Sequence, residues 1–72
     1  MDWEFTEDST FKALFKAFKE NEETSAMEFL ASDGASYYLE LLQNAAGEGI
    51  DTSDNEIMEE LQDEIIEYLE NN

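Results

Sequence analysis

Seven carboxylates crowd the end of this 72-residue chain: Glu56, Glu59, Glu60, Asp63, Glu64, Glu67 and Glu70, with no cation among them. Carboxylates can serve as acids, bases, nucleophiles, metal ligands or counter-charges, and their company decides which. The chain has no His and no Cys, so the usual proton shuttle and the thiol nucleophile are both missing. A carboxylate pair does acid–base work when an apolar pocket pushes the two proton affinities apart, and pairs on a polar helix face lack that pocket. There is no Arg and no glycine-rich phosphate loop, which argues against nucleotide handling. The expectation is a protein that is not an enzyme and needs no cofactor.

Metal binding fares little better. A calcium loop could start at Asp51, with Ser53 and Asn55 at the next ligand positions. Its sixth position would then be Glu56, where the sharp turn needs Gly, and its twelfth would be Gln62 in place of the bidentate Glu. No dedicated metal site is expected.

What remains is the charge itself. On a helix at 100° per residue, with Ile57 at zero, all seven carboxylates fall between roughly 200° and 340°. At ~1.5 Å rise per residue they cover about 21 Å, or one charge every ~3 Å. That spacing is close to the ~3.4 Å repeat of phosphates along one DNA strand. The arrangement works against folding, because eight pairs of acids stand three or four residues apart. At ~0.2–0.5 kcal/mol each, they oppose the helix by roughly 2–4 kcal/mol at low salt. Interspersed lysines would relieve this at no loss of helix propensity. The three lysines, Lys12, Lys16 and Lys19, are instead confined to the first part of the chain.

Four helices, or three, are expected to hold this face in place. "DSTFKALFKAFKEN" carries Phe11, Leu14, Phe15 and Phe18 at helical spacing, with Asp8 or Ser9 as cap. Trp3 and Phe5 precede it, either as a short extended segment or as an apolar arm folded over the core. "ETSAMEFLASDG" opens on a Ser25–Glu28 capping box. Gly34 then interrupts, and a third helix runs through Tyr37, Tyr38, Leu41, Leu42 and Ala45 until Gly47 and Gly49 end it. The apolar phase nearly survives Gly34, so one kinked helix over 25–46 is an alternative. Ser53 and Glu56 form a second capping-box pattern ahead of the last helix, whose apolar stripe is Ile57, Met58, Leu61, Ile65, Tyr68 and Leu69. The fold class is all-α, a compact three- to four-helix bundle with short connections and a single acidic domain over 1–72.

Composition fixes the kind of partner. The formal charge is −17, from 20 acids and 3 lysines. Residues 1–19 net −1 and residues 20–72 net −16, a steep asymmetry within one small domain. Anionic membranes and nucleic acids would repel such a protein, so direct binding to either is not expected, and basic protein surfaces are its natural partners. The absence of Cys gives no disulfide framework. "MDWEFTED" lacks the basic start and apolar stretch of a signal peptide. A cytoplasmic location follows as the expectation. The 42% hydrophobic content and nine aromatics separate the chain from disordered acidic tails.

Three resemblances bear on function. "SDGASYYLELL" has Ser36 where an acyl carrier protein would carry its prosthetic group, without that family's Asp-Ser-Leu tripeptide. The same stretch resembles the Asp-x-x-Tyr-Tyr-Pro patch of colicin DNase immunity proteins through Asp33, Tyr37 and Tyr38, with spacing one residue off and no Pro. In size, charge and absent chemistry the chain is similar to small acidic phage-encoded inhibitors of host defence. That group includes anti-CRISPR, anti-restriction and glycosylase-inhibitor proteins, several of which mimic DNA. The resemblance implies a basic nucleic-acid-binding protein as partner, with a CRISPR effector or other defence nuclease favoured, and the host cytoplasm as the site of action. Contacts would come from the seven carboxylates named above. Glu20, Glu22, Glu23, Asp51 and Asp54 would extend the track, and Tyr37 would add an aromatic anchor. Two alternatives stand beside it. One is an acidic protein-binding module (immunity protein, antitoxin or assembly subunit) using an apolar patch such as Trp3, Phe5 and Tyr37. The other is a helical domain adapted to a salt-loving host.

Overall fold

A computed structural model describes residues 3–21 and 24–71. Asp8 has extended backbone (φ −71°, ψ 133°), and its Oδ1 accepts the Thr10 N–H at 2.7 Å, which starts α1 over Ser9–Glu20. Ahead of it, Phe5–Glu7 make a single 3-10 turn that drops Phe5 into the core. Trp3 and Phe5 are thus an arm folded over the bundle, not an extended segment. Phe5 stands edge-on to Phe11 at 4.8 Å between ring centroids. Phe11 and Phe15 in turn meet Tyr68 edge-on at 5.2 and 5.5 Å. These aromatic contacts bind the N-terminal turn and α1 to the far end of the chain.

The next segment forms two helices, α2 over Ala26–Ala31 and α3 over Ala35–Gly47, not one kinked helix. Ser25 Oγ accepts the Glu28 N–H at 3.3 Å, the forward half of the expected capping box. The break has a steric cause. Gly34 is buried, and a Cβ there would lie 2.6 Å from the Phe29 ring, so this position lets the chain turn tightly over Phe29. The Phe29 carbonyl accepts from both Ser32 N–H (3.1 Å) and Gly34 N–H (2.7 Å), which closes α2. At the other end of α3, Gly49 adopts φ +96°. Its N–H donates to Ala46 O at 3.1 Å and the Ile50 N–H to Ala45 O at 3.0 Å, the paired bonds of a Schellman stop.

Helix α4 runs over Asn55–Asn71. The expected Ser53–Glu56 capping box does not form. Asp54 caps instead, with Oδ1 accepting from Glu56 N–H at 2.9 Å and Ile57 N–H at 3.4 Å. Ser53 is engaged the other way, donating its hydroxyl (2.6 Å) and N–H (3.0 Å) to Asp51 Oδ1. Two acids in a row of short polar residues compete for the cap. The one adjacent to the first helical residue takes it, and the other forms a turn on Ser53.

Leu14, Leu41, Leu61, Ile65 and Leu69 are fully buried at the centre, with Phe11 and Phe29 beside them. Helix α1 packs on α3, and α2 packs on both α3 and α4. The result is an all-α bundle of four helices with no strand among the described residues.

Candidate functional site

The solvent face of α4 is sorted without exception over 15 consecutive residues. From Glu56 to Glu70 every exposed residue is a carboxylate, and every carboxylate is exposed. The buried or half-buried remainder is neutral: Ile57, Met58, Leu61, Gln62, Ile65, Ile66, Tyr68 and Leu69. The covered half is wider than the expected stripe, because Gln62 and Ile66 are also half-buried. Glu67 and Glu70 lie near the C-terminal end of α4, where the helix dipole is already negative, and no basic residue occupies the last turn. The face therefore carries charge against both its neighbours and its own helix. All three lysines lie outside α4. They are exposed on α1, and Lys19 Nζ lies 5.1 Å from the Phe15 ring centroid.

The proposed extensions of this track separate in space. Asp54 is occupied as the α4 cap. Glu20 and Tyr37 line a shallow depression between α1 and the α2–α3 junction, together with Asn21 and Asp33. Glu22 and Glu23 lie outside the described residues. Asp51 does join the α4 face, through a larger groove.

That groove, about 850 Å3 and open to solvent, lies between the N-terminal turn, the α3–α4 connection and the start of α4. Half-buried Trp3, Ile50 and Ile57 supply its apolar surface. Glu4, Glu7, Glu48, Asp51 and Glu60 line it as exposed carboxylates, and Asp8 lines it half-buried. Glu60 belongs to both the groove and the α4 face, so the two are continuous. Bonds to the Ser53 hydroxyl and N–H hold the Asp51 carboxyl below its ordinary pKa. Asp8 is fixed by Thr10 N–H and by Asn44 of α3, whose Nδ2 also donates to Thr10 Oγ1 at 3.1 Å. The sequence offers no warning of this groove, because its lining comes from positions 3–8, 48–51 and 57–60. Only the apolar character of Trp3 and Ile50, each beside acids, hints at it.

The apolar patch of Trp3, Phe5 and Tyr37 does not exist as a unit. Phe5 is core, and Tyr37 lines the separate depression near α1. Trp3 alone remains available. Tyr38 is half-buried, and that burial raises its phenol above the ordinary value. No group of three or more acids among the described residues is arranged to hold a metal ion. No helix among them is long and apolar enough to cross a membrane.

The arrangement is thus a small all-α domain that presents one helix face made only of carboxylates and an adjoining acid-lined groove. The chain belongs to DUF8667, a domain of unknown function whose family model matches residues 6–72. That match takes in α4 and most of the groove but stops short of Trp3 and Glu4. No curated protein and no solved structure matches the chain.

Proposed function

We propose that this protein is an inhibitor that occupies the basic nucleic-acid-binding site of another protein, with α4 standing in for a phosphate backbone. The observation that carries the reading is the complete sorting of Glu56–Glu70, which puts seven carboxylates and nothing else on the solvent face. A face kept merely for solubility gains from mixed signs, which relieve repulsion between neighbours. Here the repulsion is retained although lysine is used elsewhere in the chain. The mechanism is competitive. Carboxylates replace phosphates against Lys and Arg, and long-range attraction speeds encounter. The target acts inside the cell, and a defence nuclease such as a CRISPR effector, with its long cationic channel, suits a rod of about 21 Å. The immobilised protein should capture its target from a host lysate, and added duplex DNA or RNA should release it. A captured partner that binds nucleic acid equally well in the complex would overturn the proposal.

The groove favours a second component. Trp3, Ile50 and Ile57 give it apolar surface that a phosphate track does not need, so part of the binding surface is specific to protein.

A further inference from the structure

We infer that the groove beside α4 takes up an arginine side chain presented by the protein partner, with the guanidinium on Trp3 and the aliphatic stem against Ile50 and Ile57. The inference rests on the reading of the chain as a protein-binding inhibitor, but not on phosphate mimicry.

Charge selects the occupant first. Glu4, Glu7, Asp51 and Glu60 are exposed along the groove, and no cation lines it among the described residues. An anion would be repelled. A compact metal ion would leave the apolar surface unused, and no metal-holding group of acids is found among the described residues. The occupant must be cationic and partly apolar.

Shape and hydration then separate the two cationic side chains. At about 850 Å3 the groove falls within the ~300–1,000 Å3 range of ligand clefts, with room for a long side chain and part of its flanking backbone. Lysine carries a compact, strongly hydrated charge. Arginine carries a flat, weakly hydrated one that stacks on aromatic faces while its edge donates to carboxylates. Trp3 supplies the aromatic surface, and its position is held from below. Its ring lies 6.5 Å from that of Phe5, which is itself buried against Phe11. One acid is also fixed in place, because Ser53 donates two hydrogen bonds to Asp51 Oδ1 and leaves Oδ2 for a ligand. Such a contact supplies what a line of charge lacks. Phosphate mimicry alone suits any cationic channel and fades with salt, whereas a stacked, hydrogen-bonded arginine identifies one partner.

Trp3 is the only tryptophan, so its fluorescence reports on the groove. The test titrates the full chain with three capped tripeptides, Ac-Leu-Arg-Leu-NH2 and its Lys and citrulline counterparts, at about 0.15 M salt, where charges beyond ~8 Å are largely screened. Amide shifts are followed in parallel by NMR. The arginine peptide should saturate, shift the Trp3 indole and the Ile50 and Ile57 amides, and bind about fivefold or more tighter than lysine, with citrulline weaker still. E4Q/E7Q/E60Q should weaken it about fivefold or more, while D63N/E67Q/E70Q, which removes the same charge outside the groove, should change it less than about twofold. Equal losses in the two variants, shifts spread along α4, or no preference for arginine over lysine would overturn the inference. Its failure is separable from that of the proposed function. A peptide that binds as described while the α4 variant leaves partner binding intact removes the mimicry and keeps the arginine site. A partner that depends on α4 while the peptide does not bind does the reverse.

Discussion

The side-chain amide of Asn44 donates to both carboxylate oxygens of Asp8, at 3.2 Å each, across 36 positions of sequence. The same carboxylate caps α1 through Thr10 N–H. One acid therefore starts a helix, ties it to α3 and lines the groove. Asn44→Ala removes the tie and leaves the cap. It should destabilise the fold by about 1.5–3 kcal/mol, in the range of hydrogen bonds to charged groups. For a domain of this size that is a drop of roughly 4–8 °C in Tm per kcal/mol, measurable by circular dichroism. An unchanged Tm would mean that solvent replaces the bond at no cost.

A second prediction concerns Gly34. Its φ of −88° suits any residue, so the constraint is space and not conformation. An added methyl would meet the Phe29 ring at 2.6 Å. Gly34→Ala should cost about 1–3 kcal/mol, as overpacked cores do. Shrinking the obstacle with Phe29→Leu should cost stability alone, yet be less than additive with Gly34→Ala in a double-mutant cycle. Strict additivity would show that the alanine is not opposed by the Phe29 ring, leaving the Phe29 carbonyl oxygen, 2.9 Å from the added methyl, as the obstacle.

These two positions mark what was legible in the sequence and what was not. Periodicity placed Phe11, Leu14, Leu61, Ile65 and Leu69 in the core, because a 3.6-residue repeat is a local property. It also put all seven α4 acids on one face. Capping chemistry was half legible. Ser25 caps as its pattern suggests, but the Ser53–Glu56 pattern lost to Asp54, since neighbouring Asp, Ser and Asn compete over distances of one residue. The break at Gly34 was legible from the glycine itself, but its steric cause was not, because it depends on where the Phe29 ring goes, which no pattern reports. The groove and the Asn44–Asp8 tie come from segments distant in sequence, and a single sequence carries no signal for such pairs.

Two groups give pH responses of opposite sign. Burial raises the Tyr38 phenol, so its contribution is fully present below the unfolded value near 10 and is lost as pH rises through the folded value. Tyr38→Phe should flatten this alkaline arm in melts at about pH 9–11. Asp51 is lowered by Ser53, so its contribution is present above the unfolded carboxylate value near 4 and is lost as pH falls through the folded one. Ser53→Ala should shrink that acid-side change. A Tyr38→Phe variant with an unchanged alkaline arm would assign the effect elsewhere.

The last prediction separates mimicry from structure on α4. Changing Glu60, Glu64 and Glu67 to Gln removes six of the eight like-charge pairs while keeping length and helix propensity. The free protein should gain about 1–3 kcal/mol at low salt, and the gain should shrink as salt screens the repulsion in the parent. Partner binding should weaken strongly at the same time. A structural role would make both fall together. The variant's affinity should also decline less steeply with salt than the parent's, as expected when fewer charges face the basic site. The comparison variant must remove three charges from a surface uninvolved in binding. Glu4, Glu7 and Asp8 suit this by sequence alone, but they line the groove with Glu60, and Asp8 holds two elements together. Glu28, Asp33 and Glu40 are exposed, off α4 and outside the groove, and the depression that Asp33 lines with Glu20 and Tyr37 contains no α4 residue and so lies apart from the surface under test. Their change to Gln, Asn and Gln should leave binding within about twofold at moderate salt, where distant exposed charges are screened. Calorimetric titration of the captured partner at two salt concentrations reads all of this. Equal losses from the two triple variants would mean that net charge alone drives association and that the ordered face of α4 has no role of its own.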